Sequence, residues 1–565
     1  MESTVRQSPL LFSLTMKWEF FASALLAVLP AANAKTAWQQ RRFDAAVPLT
    51  QNTTFNNHKF KTKDDALAAL AGVLGESAPV TRSGDFRYGR SISRIWTEQN
   101  KIYPDAIVFP SSAEHVSIIM QFYSHASTLW KEGFAIIGGG HADLGGAQSP
   151  SVVIDLQSIN KTEIISSKLN TSEPAVLKVG GGSEAGSVYS ALEGTGLAFL
   201  GPRAASIGVG GFLLGGGIAF QTGKYGVAAD SLLGLEVVLT DGRIVYVNPY
   251  NEYKDLFWAA TGGGWLGFGV ITNFYIQSYP DPGLAYIATV AWSEDKAEEV
   301  FALTTEFFET NTDPNAFPAL LYYYKDPKAI NALVPVTSRQ FTFQLNALHF
   351  GGGWEALNAS FAKFYPNADS LQLQQVNLKE LDQYLLTNYP YGYHREFYGK
   401  SHTNSTVDFY RNLFAIYKET VFGMIERGED PGHTIWVDEY VFPGWGGTGP
   451  EHDSDTAWPH STSAHITLTS GEWSADNTTQ YMHDRDRDGP MAYLRDFQNN
   501  LGVAPIYDYP NYIAPHSKPG EVWGADNFRR LTSIKEKYDP SCLLNRGRIP
   551  PTSACVRKGF ANTFL

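Results

Sequence analysis

The chain has 565 residues, 43% of them hydrophobic and 13% aromatic, which excludes a disordered polymer and is too long for one typical core. A formal net charge of −13 without any basic run excludes a nucleic-acid-binding face, because phosphates demand clustered Lys and Arg. At the start, Phe20 to Leu29 is an apolar stretch after Lys17, and Ala32-Asn33-Ala34 offers small residues for cleavage. This reads as a signal peptide over residues 1–34, with Met16 as an alternative start. A buried N-terminal helix is the competing reading. Six N-glycosylation sequons, at Asn52, Asn160, Asn170, Asn358, Asn404 and Asn477, suit a secreted chain.

Residues 35–100 are mixed and polar and are expected to pack around the first lobe. A capping-box pattern from Ser111 to Glu114 predicts a helix to about Trp130, with Val116, Ile119, Met120 and Tyr123 on one face. A strand at 134–137 then runs into Gly138-Gly139-Gly140-His141, with Gly145-Gly146 following. Glycine lets backbone approach a ligand closely and take positive φ, and consecutive N–H groups of such a turn can converge on an anion. Short apolar strands are expected at Val152–Leu156 and Leu177–Val179, and a helix from Glu184 to Glu193. A second glycine cluster spans 201–217 and a third 262–269, so that three such turns suggest a fold wrapped around one extended phosphate-bearing cofactor. Leu235–Leu239 and Ile244–Val247 flank Thr240-Asp241-Gly242-Arg243, a hairpin signal. The mixture is α+β, and nothing in it resembles a βαβ unit with a dinucleotide fingerprint and a downstream ribose acid.

Pro280-Asp281-Pro282-Gly283 marks a break between lobes, and Asn527–Lys537 reads as a helix stopped by Asp539-Pro540. The string Asp484-Arg485-Asp486-Arg487-Asp488-Gly489 imitates a calcium loop, but its twelfth position is Arg495 where a glutamate is needed. It reads as a solvated charged turn. The two cysteines, Cys542 and Cys555, either close a short disulfide loop in an oxidising compartment or remain two thiols.

The ordered set of motifs resembles a known family. Tyr103 to Pro110, Gly139-Gly140-His141, Val153 to Leu156, Gly208 to Gly211 and Gly215 to Gly217 come first. Tyr225-Gly226 with Asp230, Asp241 to Arg243, Asp255 to Ala259 and Gly262 to Gly264 follow. Together they look like the PCMH-type FAD-binding domain of the vanillyl-alcohol-oxidase superfamily. Within it they look most like the berberine-bridge-enzyme-like FAD-linked oxidoreductases of secreted fungal type. Weaker matches continue at Ala457 to His460, Tyr509 to Tyr512 and Tyr538 to Pro540.

The resemblance implies a PCMH-type FAD-binding domain over 101–281 and an α/β substrate domain, a sheet covered by helices, over 282–504. It also implies that residues 505–565 return to the FAD lobe. It makes His141 the residue bonded to the flavin. Further cofactor contacts are implied at Ile137, Gly138, Gly139, Gly140, Ala142, Ala205, Ser206, Gly208, Gly211, Gly216, Val270 and Asn511. Asp230 is expected to order a neighbouring loop, and His460 to belong to a substrate-lobe motif. Tyr509 and Tyr512 are the two candidates for the base that takes an O–H proton. The position of a second, cysteinyl link is Ala204, so one covalent bond is implied. Two further departures are Phe212, where relatives carry histidine, and Ile207, where the family gates oxygen. The implied activity is hydride transfer from a small secondary metabolite to flavin, with O2 as acceptor. A carbohydrate oxidase and a flavin-scaffolded cyclase or lyase are the alternatives.

Overall fold

The computed structural model describes residues 55, 59–130, 132–142, 146–167, 174–325, 340–381, 391–402, 405–426, 435–440, 450–463, 465–474, 506–513, 517–548 and 550–560. The signal-peptide reading, the sequons at Asn52, Asn170, Asn404 and Asn477, and the 484–489 string lie outside those residues. Asn160 and Asn358 lie within them and are exposed. No helix among the described residues is long and apolar enough to cross a membrane.

The chain forms an α+β fold of two lobes built on three sheets. The first sheet has four strands, β1 (Val80–Thr81), β2 (Ala106–Val108), β3 (Ala135–Ile137) and β4 (Val152–Asp155), in the order β1-β2-β4-β3. Its β2/β4 and β3/β4 pairs are parallel, and residues 106–108 and 152–154 are fully buried, as expected of short apolar runs covered on both faces. Helix Ala113–Ala126 crosses from β2 and lays Val116, Ile119, Met120 and Tyr123 into the core. Its cap is one residue later than the pattern suggests. Ser112, not Ser111, accepts from His115 N–H at 3.3 Å, while the Ser111 hydroxyl donates to the Ser77 carbonyl. The helix ends at Ala126, and one 3₁₀ turn continues to Leu129.

The second sheet contains β5 (Thr162–Ser166), β6 (Ala175–Gly180), β7 (Leu197–Ala198), β8 (Leu232–Val238), β9 (Ile244–Val247) and β10 (Val270–Pro280). Its order is β5-β6-β10-β8-β9, with β7 on the end of β10. The β8/β9 pair is the expected hairpin, closed at Gly242, whose φ of 87° only glycine takes cheaply. After β10 the chain turns at Asp281, which accepts from Gly283 N–H, and enters the other lobe.

The third sheet is antiparallel throughout, in the order β14-β11-β13-β12-β16-β17-β15. Its strands are β11 (Ala285–Ser293), β12 (Ala316–Lys325), β13 (Gln340–Phe350), β14 (Ser370–Val376), β15 (Tyr393–His402), β16 (Ile435–Tyr440) and β17 (His465–Ser474). Strand period sorts the two faces. On β12, Leu320, Tyr322 and Tyr324 pack with Phe301 and Phe307 of helix Ala297–Thr310 and with Tyr410, Phe414 and Tyr417 of helix Val407–Glu426. The alternate residues Phe317 and Leu321 face the other way, toward Phe220 and Tyr512 of the cofactor lobe.

The C-terminal helix Gly524–Tyr538 buries Leu531, Ile534 and Tyr538 in the cluster that holds β6, β8 and β10. Burying side chains of this kind contributes roughly 1.5–3 kcal/mol each, which ties the end of the chain to the cofactor lobe. Cys542 and Cys555 form a disulfide beneath it.

Candidate active site

Two of the glycine turns meet backbone to backbone. A Cβ on Gly139 would lie 2.2 Å from the Gly208 nitrogen, and one on Gly208 would lie 2.3 Å from the Gly139 nitrogen. No side chain fits at either position. The first turn is braced from behind by residues 91–96. Arg94 donates to the Gly138 carbonyl at 2.8 Å and pairs with Asp155 at 2.8 Å and Glu184 at 3.0 Å. Gly140, at φ 81°, presses against the Arg94 carbonyl, and its own carbonyl accepts from Trp96 N–H at 3.1 Å. The second turn is fixed by Ala185 N–H to Ile207, Gly186 N–H to Ala205 and Val209 N–H to Ser183.

This meeting point sets the surroundings of His141. Its Nε2 shares a hydrogen bond with the Ser206 hydroxyl at 2.9 Å, and the Tyr391 hydroxyl lies 3.4 Å away. The Trp96 ring stacks on the imidazole at 4.9 Å, and the buried Arg395 guanidinium sits 4.2 Å over the indole. Burial first, then the charges of Arg395 and Arg94, push the His141 pKa down to about 3. The imidazole is neutral across the physiological range and keeps a lone pair. Nothing in the local sequence around 141 announces Trp96 or Arg395. They come from the segment before β2 and from β15, and the Thr97–Tyr393 bridge joins those two segments.

The third cluster of contacts lies where the lobes touch. A Cβ on Gly216 would lie 2.6 Å from the Trp458 ring, and one on Gly262 would lie 2.4 Å from the Trp458 Cβ. A Cβ on Gly215 would lie 2.0 Å from Asn511 Oδ1. Asn511 donates to the Phe212 carbonyl at 3.0 Å and to the Tyr509 hydroxyl at 2.9 Å. The Tyr509 hydroxyl also accepts from Ile218 N–H at 3.0 Å, and its ring is buried against Trp458. Tyr512 differs. It is half-buried, its hydroxyl accepts from Arg203, and its ring lies between Phe397 and the edge of Tyr509.

Ile137 to Ala142, Ala205, Ser206 and Gly208 thus converge on one place, and Gly216, Tyr509, Asn511 and Tyr512 on a second. A Cβ on Gly211 would meet no atom within 4 Å, so the second turn opens toward free space there. Val270 stands apart, fully buried at the start of β10 in register with Val238. His460 lies beside Trp458 where the lobes touch. It is buried, 2.8 Å from the Trp458 carbonyl and 3.4 Å from Asp230 of the cofactor lobe. Burial would lower its pKa, but Asp230 and its other acceptors outweigh that and raise it. Asp230 also accepts from Val227 N–H at 3.1 Å and so does order the loop after Gly226.

Three comparisons bear on this geometry. Residues 104–248 match the family described as FAD binding domain. The FAD-dependent monooxygenase sdcF of Emericella nidulans is 26% identical, over 85% of this chain and 96% of that protein. The FAD-linked oxidoreductase pynB of Aspergillus niger is 24% identical, over 86% and 96%. Among solved structures, a variant of berberine bridge enzyme described as a reticuline dehydrogenase superposes with a TM-score of 0.69 at 18% identity, over 87% of this chain and 99% of that one. The 6-hydroxy-D-nicotine oxidase of Arthrobacter nicotinovorans gives 0.66 at 18%, over 84% and 98%. The chain carries an FAD-binding domain in the berberine-bridge-enzyme fold and is an FAD-linked oxidoreductase.

Proposed function

For an FAD-linked oxidoreductase of this fold, we propose that the chain takes a hydride from a small organic substrate, a secondary-metabolite intermediate, onto a flavin bonded to His141, with O2 as final acceptor. The observation that carries the reading is the neutral His141 imidazole, held between Ser206 and Trp96 where two glycine turns leave no room for side chains. The residues suit such a group. The turns bring backbone to the ligand, Gly211 faces open space, and Ala204 leaves a single covalent link. Ile137 to Ala142, Ala205, Ser206, Gly208, Gly211, Gly216 and Asn511 are the proposed contacts. When bound, the flavin supplies the two-electron oxidant.

The chain's own residues supply binding and proton transfer. Tyr509 has its hydroxyl committed to Ile218 and Asn511, so it holds the turn after Gly216. Tyr512, partly open and beside the aromatic wall of Phe397, is left to accept the substrate O–H proton. Residues 1–34 as a signal peptide, the sequons and the Cys542–Cys555 bridge support a secreted protein.

Acid precipitation tests the cofactor assignment. Yellow colour is expected to stay in the pellet of the wild type and to be lost from the pellet of His141→Ala. Colour that moves wholly to the supernatant in the wild type overturns the histidyl link. The names of the fungal relatives favour a second reading, oxygen insertion. Isotopically labelled O2 separates the two, since label in hydrogen peroxide supports the oxidase and label in product the monooxygenase.

A further inference from the structure

Tyr512 lies among groups that oppose ionisation, with a cation at its hydroxyl. Leu321 of β12 and Leu468 of β17 pack around it, Phe397 stacks on its ring, and Gly399 of β15 brings backbone so close that a Cβ there would lie 2.5 Å from the Tyr512 Cβ. Tyr509, from the same turn, meets it edge-on with a hydroxyl already engaged. Lys400, the next cation along β15, is bound to Asp508 at 2.7 Å, with Glu521 at 3.5 Å. The charge that touches the phenol comes from Arg203, which donates from Nη2 to the Tyr512 hydroxyl.

Arg203 is itself held in place. Its guanidinium carbon sits 5.8 Å from the Phe317 ring of β12, and its backbone belongs to the turn whose Ser206 bonds His141. Arginine keeps its charge at any pH the protein meets and has no proton to give up. A phenol in apolar surroundings favours its neutral form, whereas a guanidinium on its oxygen favours the anion.

We infer that Arg203 is a positioning residue that holds the Tyr512 hydroxyl as phenolate, so that the turn contacting the cofactor also readies the base. This rests on the assignment of Tyr512 as proton acceptor. In the step it serves, the substrate O–H bond breaks and its proton forms the Tyr512 O–H bond. The pair left on oxygen becomes the C=O π bond, the adjacent C–H bond breaks with its hydrogen and electron pair passing as hydride to the flavin that would supply the two-electron oxidant, and Arg203 stays protonated throughout.

The test is a tyrosinate titration of the purified holoenzyme by ultraviolet difference absorbance, wild type against Tyr512→Phe. No substrate is needed. The difference is expected to isolate one phenol titrating about one to three pH units below the ordinary tyrosine value of about 10. In Arg203→Gln that midpoint rises by about one unit or more, and in Arg203→Lys by less. Retained flavin absorbance in each variant shows that the site is folded, and the lysine variant serves if the glutamine variant does not fold. A low midpoint that does not move in either Arg203 variant overturns the inference. So does a wild-type phenol that titrates at the ordinary value. The base assignment fails separately if Tyr512→Phe, mixed anaerobically with a panel of aromatic and aliphatic alcohols, bleaches its flavin as fast as the wild type.

Discussion

The two lobes are specified by different kinds of contact. In the cofactor lobe the decisive approaches are backbone on backbone, as at Gly139 and Gly208, or backbone on one ring, as at Gly216 and Gly262 against Trp458. In the substrate lobe the seven-stranded sheet is held by interdigitated aromatics under helices Ala297–Thr310, Gly353–Phe361 and Val407–Glu426, and the residues it offers to the site are side chains on alternate positions, Phe317 and Leu321 on β12 and Arg395 and Phe397 on β15. A backbone contact has no smaller alternative, whereas a side chain on a sheet face can be exchanged without moving the strand. The constant part of the chemistry therefore lies in the turns and the adjustable part on the sheet.

The largest effect is expected at the seam between them. Lys400 of β15 and Asp508 of the C-terminal segment form a fully buried pair, and burial pushes the Asp508 carboxyl up even with Lys400 beside it. Lys400→Met leaves that carboxyl without its cation and is expected to cost about 3–5 kcal/mol in chemical denaturation. A loss under about 1 kcal/mol would mean that the lobes do not depend on the pair.

Within the cofactor lobe, Gly139→Ala and Gly211→Ala should separate fold from ligand. The first forces a methyl into the Gly208 backbone and is expected to cost about 1–3 kcal/mol or more together with the flavin. The second meets open space within helix Val209–Leu214 and should be neutral or stabilising by up to about 1 kcal/mol, while flavin content falls. Thermal melts read the stability and the visible spectrum reads the flavin. Equal flavin loading in wild type and Gly211→Ala would remove Gly211 from the site.

A further effect concerns acid. His465, buried in the substrate lobe and bonded to Ser405, has its pKa lowered from 6.5 to about 3 by burial. The unfolded chain therefore binds the proton first. The stabilisation is complete above about pH 6.5 and is lost progressively as pH falls toward 3, by about 2 kcal/mol at about pH 5. His402, lowered well below its ordinary value by burial and by His465, acts in the same direction. His465→Gln is expected to flatten the dependence of Tm on pH between 7 and 5, and an unchanged slope would assign acid sensitivity to the other lobe and its His141.

Much of the fold follows local rules and was legible. The glycine turns, the helix over 113–126, the β8/β9 hairpin, the break after Pro280 and the helix ending before Asp539 all depend on residues within a few positions of one another. The helix cap is a near miss because Ser111 and Ser112 are both competent. What decides between them is the helical start at Ala113 and the Ser77 carbonyl that engages Ser111. His460 shows a different limit, since its motif is local but its approach to Asp230 is not.

Sequence alone determined where backbone had to come close, because glycine takes positive φ without strain and alone permits Cβ-free contact, and it marked His141 as the one imidazole placed among those turns. It left Tyr509 and Tyr512 equivalent. The tertiary structure decided between their surroundings, giving Tyr509 to Ile218 and Asn511 and Tyr512 to Arg203. It also stacked Trp96 on His141 and Arg395 on Trp96, from segments some 300 positions apart in the chain. Hydrogen bonds and ring contacts of that separation have no period or spacing in the chain, so they exist only once the sheets have brought their strands together.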